Sequence, residues 1–262
     1  METGIIREDV NCMAEIKDIT GVILNWRTAR MSRGAVVNLQ KYYPDLKLIL
    51  IGDDGSMDEA GNYRSAYGRE AYAQEEKLDL DNFKLRDIPG TRFIEFPDHQ
   101  GHGLTIDRIV KYVETPLMLT MDSDLRLIGN GLIESYLEKF NEDPDNIYAV
   151  GPTLTNSPVG RDGEVRVEFI DPFFTIWNME ILNRYPRYSF TNYVGPAGNH
   201  FGTAFLLNWL LQHPDETHVN RIYKPVFWGP LERISQLHHL RKFRDEKPGS
   251  VNYDRWEQLM DG

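Results

Sequence analysis

Short apolar runs alternate with polar, glycine-containing turns through the first half of the chain. Runs of this kind are typical of buried strands. The pattern predicts strands at residues 19–24, 46–51, 91–96 and 116–121, and helices at 31–43, 57–88 and 101–113. Strands that alternate with helices in this way indicate a mostly parallel, doubly wound sheet with right-handed crossovers.

The second half of the chain shows a weaker pattern. Residues 147–150 and 165–170 are predicted strands, and residues 203–212 are a predicted helix. A three-residue apolar spacing with basic residues nearby predicts an amphipathic helix at 231–243. The apolar positions are Leu231, Ile234, Leu237, Leu240 and Phe243. We expect this helix to dock onto its own domain rather than onto a membrane surface, so membrane contact is at most peripheral.

Composition narrows the class of protein. The chain has 262 residues, of which 41% are hydrophobic, and this is enough for a sizeable core. The formal net charge of −11 disfavours binding to nucleic acids and to anionic membranes. Cys12 is the only cysteine, so an intrachain disulfide is excluded and a reducing cytoplasm is the expected location. Because the chain has no apolar stretch of about 20 residues and begins with acidic and polar residues, we expect neither a membrane-spanning segment nor a signal peptide.

Two carboxylates, Asp122 and Asp124, directly follow the apolar strand predicted at 116–121. The same spacing recurs at 79–81 and 143–145, but there the surroundings are polar. Open α/β sheets bind ligands beyond the carboxyl ends of their strands. Carboxylate oxygens are preferred ligands of Mg²⁺ and Mn²⁺, which also bind substrate phosphates. The pattern therefore predicts a metal and diphosphate site at this position.

A second acidic pair, Asp53 and Asp54, follows the predicted strand at 46–51. The stretch from Gly52 to Ser56 is predicted to be a turn that is too polar to continue the strand. Parallel strands end at the same edge, so this pair is expected beside Asp122 and Asp124. A structural alternative is that Asp54 or Ser56 only caps the following segment by accepting hydrogen bonds from backbone N–H groups.

Three features, taken in order, resemble the family 2 glycosyltransferases. They are the opening strand from Ile19 to Asn25, the strand that ends in Asp53-Asp54-Gly55-Ser56, and the motif Asp122-Ser123-Asp124. The resemblance covers about the first half of the chain. It implies the GT-A fold, an α/β fold with a mostly parallel central sheet flanked by helices and a C-terminal acceptor-side extension. We predict one domain over 1–262, with a nucleotide-sugar half at 18–130, an acceptor-side half at 131–230 and a helical extension at 231–262.

The resemblance also implies roles for individual residues. Asp53 would contact the nucleotide base through a ring N–H, Asp122 would lie near the ribose or sugar, and Asp124 would hold the Mn²⁺ or Mg²⁺ that bridges the phosphates. A UDP-sugar is the favoured donor, and a hydroxyl group, expected on a glycan, is the acceptor. The other residues predicted at the donor site are Asp54, Gly101, His102, Arg108 and Ser123.

Two functional groups of the family have no clear match. Asp215 and Glu216 are candidates for the base that deprotonates the acceptor, and Asp171 is a further one, so a retaining mechanism stays open. Trp228 occupies the position that resembles the family's metal-binding histidine. The remaining candidates for a histidine ligand are His200, His218 and His238.

Two alternatives come from other functional classes. A haloacid-dehalogenase-like phosphatase would use Asp122 as its nucleophile. That class needs a small hydroxyl residue two positions after the second aspartate, where this chain has Arg126. The other alternative is a non-catalytic module that binds nucleotides or glycans, and its support is the missing base motif.

Overall fold

The computed structural model describes residues 13–26, 28–55, 84–153, 170, 172–184, 189–191, 193–194, 200–201, 203–212, 223–230, 234 and 237–239. The helices are α1 (Ala29–Tyr42), α2 (His102–Ile109), α3 (Leu132–Glu142), α4 (Met179–Asn183) and α5 (Phe205–Gln212). The strands are β1 (Ile19–Asn25), β2 (Leu48–Asp54), β3 (Thr91–Phe96), β4 (Leu117–Met121), β5 (Leu125–Leu127), β6 (Ile147–Thr153), β7 (Phe174–Asn178), β8 (Tyr193–Val194), β9 (His200–Phe201), β10 (Lys224–Pro230) and β11 (Leu237–His239).

Seven strands form one central sheet in the order β10-β6-β7-β4-β1-β2-β3. The pairings of β1 with β2, β1 with β4, β2 with β3 and β6 with β10 are parallel, while β7 runs antiparallel to β4 and β6. The predicted mostly parallel α/β sheet is therefore confirmed. Among the described helices, none is long and apolar enough to cross a membrane. The cytoplasmic location and the division at residues 130 and 230 stay predictions.

The core lies on both faces of the sheet because successive strand residues point to opposite sides. Along β2, Ile49 and Ile51 pack on one face with residues of α1 and α3. Leu50 packs on the other face with residues of α2, α4 and α5. Strands covered on both faces read as continuous apolar runs, which is why the sequence pattern located them.

The acidic turn predicted after the second strand is wrong in its extent. β2 continues through Asp53 and Asp54, which pair with Glu95 and Phe96 of β3. The polar side chains do not end the strand because both carboxylates are buried and hydrogen-bonded. The polarity of these residues therefore led to a predicted strand that ends too early, at residue 51.

The predicted amphipathic helix at 231–243 is also wrong where the structure describes it. Leu237–His239 forms β11, which pairs antiparallel with β5. Apolar residues at three-residue spacing do not exclude a strand, and a distant partner decides the conformation here. Elsewhere, residues 85–87 form a 3-10 helix at the end of the predicted helix 57–88, and residues 110–112 form another after α2. Ile170 makes an isolated bridge, while residues 165–169 and the rest of 57–83 lie outside the described ranges.

Helix α2 is anchored to residues 189–191 by a partly buried carboxylate. Asp107 accepts hydrogen bonds from the backbone N–H of Phe190 at 2.8 Å, from the Ser189 hydroxyl at 2.5 Å and from the Thr191 hydroxyl at 3.2 Å. A Cβ atom on Gly103 would lie 2.1 Å from the Phe190 carbonyl oxygen, so the helix and this segment touch backbone to backbone. Burial raises the pKa of the Asp107 carboxyl, although these hydrogen bonds oppose the shift.

The raised pKa predicts a pH-dependent contribution of Asp107 to stability. The folded chain binds this proton more tightly than the unfolded chain does. The stabilisation is therefore full below the ordinary carboxyl pKa, near 4, and is lost as the pH rises through the raised value. The difference in unfolding free energy between the wild type and Asp107→Asn should fall across that window and then become constant. Urea unfolding at pH 3.5 to 8 checks this, and a difference that rises with pH would contradict it.

Candidate functional site

The acidic residues singled out in the sequence meet at one edge of the sheet. β1, β2 and β4 are parallel neighbours, with Asn25 opposite Asp53 and Ile23 opposite Met121. Their carboxyl ends therefore lie side by side, and Asp122 follows Met121 directly. The structure thus places both acidic pairs on the same rim of the sheet, formed by the carboxyl ends of these strands, although the two pairs are far apart in the sequence.

Asp53 is fully buried at the end of β2. Its Oδ1 accepts a hydrogen bond from Asn25 Nδ2 at 2.5 Å. The Asn25 amide is itself oriented, because its Oδ1 accepts from the Ser32 hydroxyl at 2.8 Å. Asn25 was not among the predicted site residues, although a lone amide at the end of an apolar strand is a signal that the sequence offers. This arrangement holds Asp53 as a hydrogen-bond acceptor.

Asp54 holds the loop in front of α2. Its Oδ1 accepts from the backbone N–H of Gln100 at 2.9 Å, and its Oδ2 accepts from that of Gly101 at 3.0 Å. His99 Nδ1 lies 2.7 Å from the same Oδ2. Asp54 thus accepts hydrogen bonds from backbone N–H groups, as the structural alternative expected, but these groups belong to a distant loop and not to the segment that follows Asp54.

Trp26 and His99 close this part of the rim with stacked rings. Their centroids are 4.1 Å apart and their planes differ by 11°. Trp26 follows β1 and His99 follows β3, so the stack spans the end of β2 between them. Neither residue was selected from the sequence, because ring contacts between separate loops leave no periodic signal.

His102, the first residue of α2, connects that helix to the second acidic pair. Its Nε2 lies 3.1 Å from Asp122 Oδ1, and the Asp122 side chain is 20% exposed. Gly101 precedes the helix at φ +89°, a conformation that favours glycine. Arg108 lies nearly two helical turns beyond His102 on the same helix, with its guanidinium 3.5 Å from Asp98 and over the ring of Phe96. The contact of His102 with Asp122 thus joins two predicted site residues from separate stretches of the sequence.

The motif 122–124 forms a tight turn. The Asp122 N–H donates to the Phe173 carbonyl at 2.8 Å, and the Leu125 N–H donates back to the Asp122 carbonyl at 3.1 Å. The Ser123 hydroxyl lies 3.5 Å from that of Thr28. Asp124 is the last residue of the turn before β5, so its position is set by the turn and by the strand that follows.

The oxygen donors on this rim fit a hard divalent cation. Asp122 and Asp124 supply two carboxylates one residue apart, which suits Mg²⁺ or Mn²⁺ with phosphate and water as the remaining ligands. Over the described ranges, no group of three or more histidine, cysteine, aspartate or glutamate side chains is arranged to hold a metal. A metal here would therefore depend on a ligand such as a diphosphate to complete its coordination.

The structure does not place the candidate bases and the candidate histidine ligands in this site. Asp171, Asp215, Glu216 and His218 lie outside the described ranges. The backbone of His200 belongs to β9, where it pairs with Val194 of β8. These roles stay predictions.

The strand β11 places a different histidine pair near the motif. His239 pairs with Leu125 and His238 pairs with Arg126, so the backbone of β11 runs beside the residues that follow Asp124. The expectation that this pair lies on a helix is wrong.

Comparisons with known proteins support the fold. No protein-family model and no curated protein sequence matches the chain. The mannosyltransferase PcManGT from Pyrobaculum calidifontis, solved with GDP-Man and Mn²⁺, matches with a TM-score of 0.50 and 10% identity, over 93% of this chain and 69% of that one. Glucosyl-3-phosphoglycerate synthase from Mycobacterium tuberculosis, solved with Mn²⁺, UDP and glucosyl-3-phosphoglycerate, matches with a TM-score of 0.45 and 12% identity, over 92% of this chain and 75% of that one. S. aureus TarS, solved with UDP-GlcNAc, matches with a TM-score of 0.42 and 12% identity, over 66% of this chain and 48% of that one.

At these identities the likeness concerns the fold alone, and it is carried by the first of the three structures. Its match extends over most of this chain, and the sheet order and the flanking helices agree with the fold class expected from the sequence. The chain has the GT-A fold found in nucleotide-sugar glycosyltransferases.

Proposed function

We propose that this protein is a metal-dependent glycosyltransferase. It moves a sugar from a nucleoside diphosphate sugar, with a UDP-sugar favoured, to a hydroxyl acceptor in glycan or polysaccharide synthesis. The observation that carries the proposal is the meeting of Asp53 with Asp122 and Asp124 at the carboxyl ends of β2 and β4. A mannosyltransferase of the same fold solved with GDP-Man and Mn²⁺ supports the donor class.

Each part of the donor has a counterpart on this rim. Asp53, held as an acceptor by Asn25, binds a ring N–H of the base. Asp122 lies near the ribose or the sugar, and Asp124 holds the cation. His102 and Arg108 are the side chains proposed to contact the diphosphate. Gly101 allows close approach of the backbone, and Ser123 offers a hydroxyl.

The chemistry proposed for the site is the departure of a nucleoside diphosphate. Mn²⁺ or Mg²⁺ bound here would neutralise charge that develops on the diphosphate as the anomeric C–O bond breaks. The acceptor hydroxyl must lose its proton, and Asp215, Glu216 and Asp171 stay the proposed bases. Membership of family 2 is part of the proposal and rests on the motifs in the first half of the chain.

A donor panel tests the function directly. We expect calorimetry in Mn²⁺ to detect binding of UDP or GDP, and we expect slow hydrolysis of at least one UDP- or GDP-sugar. Binding without hydrolysis or transfer would favour the non-catalytic module. Capture of a phospho-aspartate on Asp122 would favour the phosphatase, and neither binding nor turnover would refute the proposal.

Base recognition gives a sharper test. Uracil and guanine present a ring N–H to a carboxylate, whereas cytosine and adenine do not. Asp53→Asn should weaken UDP binding in Mn²⁺ by about 10- to 100-fold, because a hydrogen bond to a charged group contributes about 1.5–3 kcal/mol. The preference for UDP over CDP should shrink as well.

Glu95→Gln is the matched control for this experiment. Glu95 lies opposite Asp53 on β3, but its partly exposed carboxylate pairs with Arg86 at 2.7 Å. This variant should bind UDP as the wild type does. Equal UDP and CDP affinities in the wild type, or an unchanged preference in Asp53→Asn, would remove Asp53 from base recognition.

A further inference from the structure

A buried arginine follows the acidic turn directly. Arg126, on β5, has no exposed surface. Taking a guanidinium out of water costs several kcal/mol unless hydrogen bonds compensate. Its position is therefore defined by what it binds.

The guanidinium links the acidic turn to helix α1. Nη1 donates to the Ser123 carbonyl at 2.8 Å and to the Leu125 carbonyl at 2.7 Å. Nη2 donates to the Met31 carbonyl in α1 at 3.0 Å. Ser123 lies between the two aspartates, and Leu125 closes the turn by donating to the Asp122 carbonyl. One rigid, planar group thus holds the centre and the end of the turn against a helix.

The attachment of β5 to α1 does not need Arg126. Asn38 of α1 makes two hydrogen bonds to the backbone of Leu127, donating to its carbonyl at 3.1 Å and accepting from its N–H at 2.7 Å. Asn38 is buried, and both of these bonds lie at the far end of β5 from the acidic turn. The contact of Arg126 with Ser123 therefore goes beyond what is needed to fix the strand.

We infer that Arg126 is a positioning residue for the metal site. It fixes the backbone of the acidic turn, so that the Asp122 and Asp124 carboxylates keep one orientation when a cation and a diphosphate bind. The inference rests on the proposed function. The fork of arginine is essential to it, because a lysine ammonium retains the charge but cannot span the Ser123 and Met31 carbonyls in the same geometry.

Mn²⁺ binding in the presence of UDP tests this role without requiring turnover. The EPR signal of free aqueous Mn²⁺ disappears on binding, so a titration gives the affinity. Partners that orient metal ligands typically change metal affinity by about 10- to 100-fold when removed. We expect Arg126→Lys to weaken Mn²⁺ binding by about tenfold and Arg126→Met to weaken it more.

Asn38→Ala separates positioning from stability. It loosens the same strand from the same helix, so it should lower the thermal midpoint of unfolding while leaving Mn²⁺ affinity at the wild-type value. If Arg126→Met does not fold, the comparison of Arg126→Lys with Asn38→Ala still decides the question. The inference is overturned if Arg126→Lys binds Mn²⁺ as the wild type does, or if Asn38→Ala loses affinity to the same degree. A wild type that binds no Mn²⁺ would refute the proposed function instead.

Discussion

Asp124→Ala is expected to lower kcat/KM for the nucleotide-sugar donor by at least about 10²- to 10³-fold, the cost typical of removing one group that stabilises the developing charge. In the proposed mechanism this carboxylate would hold the cation, which would neutralise charge on the diphosphate. The backbone of its turn is held by hydrogen bonds from the Asp122 N–H to the Phe173 carbonyl and from the Leu125 N–H to the Asp122 carbonyl, so we expect the substitution to leave the turn in place. Mn²⁺-dependent donor hydrolysis and Mn²⁺ affinity should both be lost, while the unfolding midpoint changes little.

The chain provides a matched control with the same spacing of aspartates. Asp143 and Asp145 are also one residue apart, but they follow α3 instead of a buried strand. Asp143 contacts Lys224 at 2.5 Å and accepts from Asn146 at 2.6 Å, and Asp145 is exposed. Asp145→Ala should therefore retain turnover and Mn²⁺ affinity. Full activity in Asp124→Ala would remove the metal site from this turn.

Strands covered by helices on both faces were predictable from the sequence. Each reads as an apolar run, and the run predicted at 116–121 contains the whole of β4, in which all five residues are buried. The position of the acidic residues on one rim was also predictable, because the carboxyl ends of parallel strands lie at the same edge of the sheet. Asp53 and Asp122 could thus be placed near each other without knowledge of any contact between them.

The contacts that shape the rim could not be predicted in this way. The stacking of Trp26 on His99 and the hydrogen bonds from Gln100 and Gly101 to Asp54 join loops that follow different strands. β11 was mistaken for a helix because its partner, β5, lies far away in the sequence. Periodicity reports which face of an element is buried, and it does not identify the partner that buries it.

Gly55→Ala is expected to damage both stability and nucleotide binding. Gly55 has φ +64°, and a Cβ atom there would lie 2.4 Å from the His99 backbone nitrogen and 2.5 Å from the Asp98 carbonyl carbon. The left-handed conformation costs about 1–2 kcal/mol for an L-residue, and overpacking against backbone adds about 1–3 kcal/mol. Chemical denaturation should therefore show a loss of about 2–5 kcal/mol.

Gly90→Ala isolates the conformational part of this cost. Gly90 has a similar φ of +73°, but the nearest atom to its added Cβ is the flexible Gln40 Nε2 at 3.3 Å. This variant should lose only about 1–2 kcal/mol and should bind UDP as the wild type does. In Gly55→Ala, by contrast, the added Cβ atom would displace the loop that carries His99, which contacts Trp26 and Asp54. A shift of about 1 Å in an element that positions a ligand strongly reduces function. The affinity of this variant for UDP in Mn²⁺ should therefore fall about tenfold or more. Equal losses in the two variants would mean that the loop at 98–99 yields freely, and the packing of His99 on the end of β2 would then have no part in shaping the donor site.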